Sequence, residues 1–227
     1  MSDNAIPDVA LIDNTEQRTP LVLVLDRSGS MGGAPIEQLN EGLQLLEQEL
    51  KNDVIAAKRV RILIVTLGDY DEASIVGDWC DAMDFSAPRL EANGTTPTGQ
   101  GVEIALAEIE DEKARYKESG IAYTRPWLFV MSDGLPTDAW EQSAAACCQA
   151  ETDQKVAVFP IAVGNGSNTE TLGAFSSRGV AGVKQLAGLH FKELFLWLST
   201  SLQTVSQSQA GDRVQLPPTD SWSSVQV

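Results

Sequence analysis

Short apolar runs recur along the chain, and the segments between them carry apolar residues at a helical period. The runs at 21–25, 60–65 and 127–131 have the length and the leucine, isoleucine and valine content of buried strands. The run at 156–163 is almost wholly apolar, which predicts a strand that is buried on both faces of a sheet. The pattern therefore predicts at least four strands with helices between them.

The helical segments are bounded by residues that suit helix ends. Pro35 suits the first position of a helix whose apolar residues then recur every three or four positions as far as Leu50. A long helix is predicted from about Thr98 to Glu118, and Gly120 ends it. Each of these two helices should place one apolar face against a sheet.

Two further helices are predicted in the second half of the chain. Asp138 and Glu141 have the spacing of a capping box, which favours a helix from there to about Ala150. The final helix is predicted from about Phe191 to Val205.

The remaining strands define the class of fold. A strand at Ala73–Trp79 follows the 60–65 run after only a short turn, so the two should pair antiparallel, because a parallel crossover needs a dozen residues or more. A shorter sixth strand is predicted near Val180–Leu186. Strands that alternate with helices predict a doubly wound, Rossmann-like α/β fold. We expect a mostly parallel six-stranded sheet with one antiparallel edge strand and helices on both faces.

The length of 227 residues suits one substantial domain. We expect that domain at residues 18–205, with an N-terminal extension at 1–17. Residues 206–227 are rich in Ser, Gln and Pro and have no period, which predicts a tail without regular structure.

Composition narrows the classes of partner. The 16 Lys and Arg residues against 32 Asp and Glu residues give a net charge of −16, and no basic cluster stands out. Nucleic acids and anionic membranes attract basic patches, so neither is an expected partner. No apolar run has the length of a membrane span, and the first residues lack the pattern of a secretory signal. The three cysteines make a poor disulfide framework, which favours a cytoplasmic location.

Candidate chemistry is concentrated where two predicted strands end. Asp26 ends the first strand, and Ser28 and Ser30 follow it at two-residue spacing. Asp133 ends the fourth strand, and the loop 93–98 leads into the long helix. Carboxyl ends of neighbouring parallel strands meet at one edge of a doubly wound sheet. Hard oxygen ligands of this kind suit Mg²⁺, Mn²⁺ or Ca²⁺, so the sequence predicts a divalent-metal site.

This set of residues resembles the metal-ion-dependent adhesion site (MIDAS) of the von Willebrand factor A (VWA) domain family. The resemblance covers about residues 18–205 and implies five metal ligands: Asp26, Ser28, Ser30, Thr96 and Asp133. It favours Thr96 over Thr95, because Thr96 directly follows the Gly-x pair and stands two residues before the helix start. In the family, the carboxylate at the position of Asp133 often binds the metal through a water molecule, so the resemblance implies the same for Asp133.

The resemblance implies recognition rather than catalysis. A Mg²⁺ ion held by few charged groups keeps an open position, and the carboxylate of a partner's Asp or Glu suits that position. We therefore expect a non-enzymatic, metal-dependent protein-binding module.

A narrower resemblance points to the bacterial TerY group, which is associated with tellurium resistance. It is carried by SDGLPTDAWE at 132–141 and by the chain end from Phe195 to Trp222. Members of that group are encoded next to a protein kinase and a protein phosphatase. The resemblance therefore implies a partner of one of those kinds.

Two other functions remain open from the residues. Asp26 could act as the nucleophile of a Mg²⁺-dependent phosphoryl-transfer enzyme. Phosphatases of that type carry a second Asp where this chain has Ser28, and no lysine stands next to the site. Alternatively, the chain is a structural protein whose site has little affinity for metal.

Overall fold

A mixed β-sheet organises the chain. The computed structural model describes residues 14–164, 168–186 and 188–220, together with the backbone of 223–224. The six main strands are β1 Thr19–Asp26, β2 Val60–Asp69, β3 Glu72–Asp81, β4 Trp127–Ser132, β5 Ala157–Val163 and β6 Lys184–Leu186. Their order in space is β3-β2-β1-β4-β5-β6, with β3 antiparallel and the others parallel. The predicted fold class is confirmed.

Helices cover both faces of this sheet. They are α1 Ala34–Asn52, α2 Val54–Arg59, α3 Thr98–Ser119, α4 Glu141–Thr152, α5 Thr169–Gly173 and α6 Phe191–Gln207. Gly120 ends α3 in the left-handed conformation, as its position after the apolar pattern predicts. In the described part of the chain, no helix combines the length and the apolar character needed to cross a lipid bilayer.

The alternation of side chains along β1 builds two separate cores. Leu21, Leu23 and Leu25 point to the face that α1 and α6 cover. Val22 and Val24 point to the opposite face, beneath α3 and α4. Each of these five side chains is completely buried, and burial of one such side chain contributes about 1.5–3 kcal/mol. This central position fixes β1, and hence the loop that follows it.

The order of the strands reverses between β1 and β4. β1 pairs with β2 on one side and with β4 on the other, both in parallel. Crossovers to the two sides leave a crevice outside the carboxyl ends of these strands. Asp26 and Asp133 stand at these two ends, on adjacent strands.

Several parts of the chain differ from the elements that the sequence predicts, and the short helix α5 is one of them, since no helix was expected there. The short helix α2 was not expected, although Asp53 caps it by accepting bonds from the N–H groups of Ile55 and Ala56. Within the predicted strand Val180–Leu186, residues Gly179–Gly182 form a 3-10 turn and only β6 is extended. Glycines at the first and last positions of that turn explain the irregular start, because glycine disfavours a regular strand.

The tail beyond α6 also differs from the expected absence of regular structure. Ser223–Ser224 forms a two-residue strand, β7, which pairs antiparallel with β6. Leu216 packs against the α1 and α6 core, and the Trp197 indole donates a hydrogen bond to the Pro217 carbonyl at 2.8 Å. These non-local contacts order a segment that has no periodic pattern of its own. Trp222 lies outside the described residues.

The amino ends of β1 and β2 hold a buried cluster of charges. Arg61 donates from Nε to Glu112 Oε1 at 2.5 Å and lies 3.3 Å from Asp81 through Nη1. Arg18 Nη1 lies 3.5 Å from Asp81 Oδ2. All four side chains are buried. Arg115, which is partly exposed, also pairs with Glu112 at 3.2 Å, so three guanidinium groups neutralise the two buried carboxylates.

Candidate metal centre

Asp26 joins the loop after β1 to the end of β4. Its carboxylate accepts the Ser28 N–H at 2.8 Å through Oδ1. Oδ2 accepts the Ser132 hydroxyl at 2.7 Å and the Asp133 N–H at 3.4 Å. The residue is only 1% exposed. Asp26 therefore fixes the relative position of the two strand ends from the buried side of the site.

Ser28, Ser30 and Asp133 form a row of oxygens that leads from the interior to the surface. The Ser28 and Ser30 hydroxyl oxygens lie 3.0 Å apart. The Ser30 hydroxyl donates to Asp133 Oδ1 at 2.8 Å, although the two residues are 103 positions apart in the chain. Ser28 is buried, Asp133 is half-buried and Ser30 is exposed. The row thus starts in the interior and reaches solvent at Ser30.

The loop that carries Thr96 is tied to both strand ends. Gly29 N–H donates to the Gly94 carbonyl at 3.0 Å, which binds the loop to the β1 side. On the β4 side, the Thr96 N–H donates to Thr137 Oγ1 at 3.1 Å, and the Thr137 N–H donates to the Thr96 carbonyl at 3.0 Å. Thr96 is buried at this junction, whereas Thr95 is half-buried. The five predicted positions thus lie on three interlocked segments.

Two glycines allow these segments to approach so closely. Gly94 has a φ of +69°, and a Cβ there would lie 1.8 Å from the Tyr70 carbonyl oxygen. Gly68 has a φ of +102°, and a Cβ there would lie 2.4 Å from the Asn93 carbonyl oxygen and 3.0 Å from Ser28 N. Neither position has room for a side chain, so the loops pack backbone against backbone.

The site carries two carboxylates without a cationic side chain. Burial, followed by the nearby negative charge of Asp26, raises the pKa of Asp133 above its ordinary range. Arg27 lies between Asp26 and Ser28 in sequence, but its guanidinium pairs with Asp69 at 2.8 Å instead. No ion pair reaches Asp26 or Asp133 within the described residues. The two carboxylates therefore lie close together without a compensating positive charge from the described side chains.

The oxygens fit a small divalent cation in type. Mg²⁺ prefers six oxygen ligands at about 2.0–2.1 Å. The separations of 3.0 Å and 2.8 Å along the row from Ser28 to Asp133 are those of O–H···O hydrogen bonds, which hold these three candidate ligand side chains together. Over the described ranges, no group of three or more His, Cys, Asp or Glu side chains could hold a metal. A metal here would therefore depend on hydroxyl oxygens and water as well as on carboxylates.

Sequence reasoning missed three supporting residues around this site. Ser132 and Thr137 donate and accept the bonds that hold Asp26 and Thr96 in place. Their signal was their position at the end of β4, for Ser132, and in the polar segment that follows it, for Thr137. Asp138 was assigned to the wrong helix. Its carboxylate accepts the Gly99 N–H at 3.1 Å and the Gln100 N–H at 2.7 Å, and so caps α3.

The predicted capping box between Asp138 and Glu141 is therefore wrong. Trp140 precedes α4, and no side chain caps that helix. The N–H groups at the start of α3 lack a cap from Pro97, so they were available to a carboxylate from another segment. A spacing rule within one segment cannot detect that competition.

The sequence profile of the von Willebrand factor type A domain matches residues 21–186. The chain belongs to this family. The profile spans the sheet from β1 to β6 and all the loops of the candidate metal centre, so the VWA match and the geometry concern the same part of the molecule.

Known proteins resemble this VWA domain in sequence and in fold. An uncharacterized protein of Synechocystis sp. is 26% identical over 202 residues, which are 84% of this chain and 44% of that protein. The chain spans less than half the length of the curated relatives that it matches.

Two solved structures show the fold at low identity. The pilus adhesin SpaC of Lactobacillus rhamnosus GG has a TM-score of 0.66 at 11% identity, over 85% of this chain and 32% of the adhesin. Proximal thread matrix protein 1 of the mussel byssus has a TM-score of 0.53 at 17% identity, over 85% of this chain and 47% of that protein, and its MIDAS motif holds zinc.

Proposed function

We propose that this VWA domain is a non-enzymatic, divalent-metal-dependent protein-binding module. Its ligands are Asp26, Ser28, Ser30, Thr96 and Asp133, and its metal is Mg²⁺, with Mn²⁺ or Ca²⁺ as substitutes. The observation that carries the proposal is the hydrogen bond between Ser30 and Asp133, which joins two distant segments at a solvent-facing edge. The mussel protein with zinc in its MIDAS motif supports a divalent ion at such a site.

The partner completes the site from the solvent side. Asp26 closes the inner side, because it is buried and accepts three hydrogen bonds. Ser30 is exposed, so the outer side is open to another molecule. An Asp or Glu carboxylate of a partner protein supplies a hard anionic oxygen, which suits a divalent cation.

Phosphoryl transfer by Asp26 is the alternative, and the sequence opposes it. Ser28 stands where phosphatases of this type carry a second Asp, and no lysine stands next to the site. We expect no turnover of aryl phosphates by micromolar protein in Mg²⁺. Turnover that disappears in Asp26→Asn would favour the enzyme.

The narrower setting rests on the sequence alone. The TerY-like segments at 132–141 and from Phe195 onward support a bacterial tellurium-resistance type of system in the cytoplasm. A protein kinase or phosphatase is then the proposed partner. A pull-down with such a candidate, in Mg²⁺ and then in EDTA, would test this setting separately from the metal site.

The thermal midpoint of unfolding tests the metal site directly. It is measured in EDTA and in millimolar Mg²⁺, Mn²⁺ or Ca²⁺ for wild type, Asp26→Asn and the control Asp111→Asn. Asp111 is an exposed acidic residue on α3, outside the site. At about 100 times the dissociation constant, the ion should stabilise wild type and the control by roughly 2.7 kcal/mol. An equal response of Asp26→Asn, or no response of wild type to any ion, would refute the site.

Isothermal titration with Mg²⁺ distinguishes the two threonines of the loop. Thr96→Val removes a hydroxyl that is buried at the junction of the three segments, so it should weaken metal binding. Thr95→Val is the matched control, because the Thr95 N–H bonds away from the site to the Tyr70 carbonyl at 2.8 Å. A larger loss in Thr95→Val would reverse the assignment.

A further inference from the structure

Tyr70 is held beside the metal centre in a conformation that bulky residues avoid. It lies in the turn between β2 and β3 with a φ of +59°. Left-handed backbone is uncommon outside glycine, asparagine and aspartate, and it is more costly for large side chains. The Tyr70 side chain is nevertheless 75% exposed, so packing of the ring does not explain the conformation. An unusual backbone with a displayed aromatic side chain points to a functional role.

Contacts to the metal loops impose the position of this turn. The Thr95 N–H donates to the Tyr70 carbonyl at 2.8 Å, and Gly94 leaves room for that carbonyl by having no Cβ. The Asp69 carboxylate, next to Tyr70, pairs at 2.8 Å with Arg27, which lies between two of the proposed metal ligands. The turn is thus fixed to the Thr96 loop and to the loop after β1.

Leu135 is a second displayed apolar side chain near the metal centre. It follows Asp133 by two residues and is 59% exposed. Thr137, two residues further on, exchanges hydrogen bonds with the Thr96 backbone. Tyr70 and Leu135 therefore lie on two different segments that are both hydrogen-bonded to the loop of Thr95 and Thr96.

The charges around Tyr70 are acidic. Asp71 and Glu72 follow it, both exposed and with no ion pair among the described residues. The chain as a whole carries a charge of −16. A ligand that brings a carboxylate to this surface gains from basic side chains beside it, because they compensate for the acidic rim.

We propose that Tyr70 and Leu135 select the partner by contacting apolar side chains next to its metal-binding carboxylate. This inference rests on the proposed function. The partner is a protein segment in which an Asp or Glu is neighboured by an apolar side chain and by Lys or Arg. The metal binds the partner's carboxylate. Tyr70, Leu135, Asp71 and Glu72 then determine which residues next to that carboxylate are preferred.

A phage-displayed library of random peptides tests the preference. The library is selected on the immobilised full chain in millimolar Mg²⁺ and eluted with EDTA. The variants are Tyr70→Asn, because asparagine tolerates left-handed backbone, and Leu135→Ser. Val54→Ser is the matched control, because Val54 is 74% exposed in α2, the helix that leads into the amino end of β2, far from the metal centre at the carboxyl ends.

We expect the selection to enrich peptides that combine an acidic, an apolar and a basic residue. Synthesised peptides from that set should bind Tyr70→Asn or Leu135→Ser about tenfold more weakly or worse, as loss of one buried apolar contact implies, and should bind Val54→Ser like wild type. Titration with Mg²⁺ alone should give the same affinity in all of these variants, which separates partner contact from damage to the metal site.

Two results would overturn the inference in different ways. If EDTA elutes acidic peptides that bind Tyr70→Asn and Leu135→Ser as tightly as wild type, the two residues do not select the partner, and the proposed function stands. If no enrichment depends on the metal, or Asp26→Asn enriches the same peptides, the proposed function fails and the inference fails with it.

Discussion

Opposite ends of the central sheet each hold two carboxylates, in different surroundings. At the amino ends of β1 and β2, Asp81 and Glu112 lie against Arg18 and Arg61. At the carboxyl ends of β1 and β4, Asp26 and Asp133 contact hydroxyl and backbone N–H groups. The first cluster is fully buried, whereas the second reaches solvent at Ser30.

The difference separates a structural role from a binding role for similar side chains. Buried carboxylates are costly unless they are paired, and the arginines supply that pairing within the chain. The hydroxyl groups around Asp26 orient its carboxylate but bring no positive charge. Under the proposed function, a cation from solution stabilises the folded chain at the carboxyl ends, whereas arginines already pair with the carboxylates at the amino ends.

Replacement of Arg61 should give the largest loss of unfolding free energy. A small loss would contradict the structural role that the comparison gives to the amino-end cluster. Arg61→Leu leaves Glu112 and Asp81 buried with less positive charge, so the free energy of unfolding should fall by about 3–5 kcal/mol. Equilibrium unfolding in urea at neutral pH measures the loss.

Arg59→Leu is the matched control for that experiment. Arg59 lies two residues earlier and pairs with Glu16 at 2.8 Å, but both side chains are partly exposed. A pair of that kind contributes about 1 kcal/mol or less. Equal losses in Arg59→Leu and Arg61→Leu would mean that the buried cluster is no more important than a surface pair.

The carboxyl-end residues were predictable from sequence because their signal is local. Asp26, Ser28 and Ser30 stand together directly after an apolar run, and Asp133 directly follows another. Parallel pairing of neighbouring strands then brings their ends together without further information. Four of the six main strands, β1, β2, β4 and β5, followed from such apolar runs.

The amino-end cluster was not predictable by that route. Arg61 lies within the apolar run of β2, and its partner Glu112 lies 51 residues later, in α3. No periodic pattern relates two such positions. Asp138 was misassigned for a similar reason, since its partners Gly99 and Gln100 belong to a different helix. Local spacing thus predicts elements and strand-end motifs, whereas tertiary pairing decides which polar groups meet.

Gly94→Ala should sharpen the comparison by damaging only the carboxyl end. A Cβ at this position would clash with the Tyr70 carbonyl oxygen. The native backbone there is also left-handed, which is strained for alanine. Gly120→Ala is the matched control, because Gly120 has a similar φ of +68° but nothing within 4 Å of the added Cβ.

We expect Gly120→Ala to cost about 1–2 kcal/mol of unfolding free energy, from backbone strain alone. Gly94→Ala should cost about 1–3 kcal/mol more, since the loops must also move apart. Urea unfolding gives both values. The rise in thermal midpoint with Mg²⁺ should shrink in Gly94→Ala and persist in Gly120→Ala. Equal effects of the two substitutions on stability and on the Mg²⁺ response would show that the close packing of the loops does not matter.

Tyr116→Phe should give the smallest effect at neutral pH and a distinct effect in alkali. Tyr116 is completely buried on α3. Burial, followed by the negative charge of Glu112, raises the pKa of its phenol well above the ordinary value of about 10. At pH 7 the hydroxyl is protonated in both states, so its removal should change stability by about 1 kcal/mol or less.

Above about pH 10 the unfolded chain releases the Tyr116 proton while the folded chain retains it. The unfolded state then binds fewer protons, so wild type loses stability as pH rises, by up to about 1.4 kcal/mol per pH unit from this group. Tyr116→Phe keeps every other titrating group and should lose stability less steeply. Urea unfolding across this pH range measures the difference. Parallel curves for the two proteins would mean that the phenol ionises in the folded chain, and that the amino end of the sheet is less isolated from solvent than its buried charges indicate.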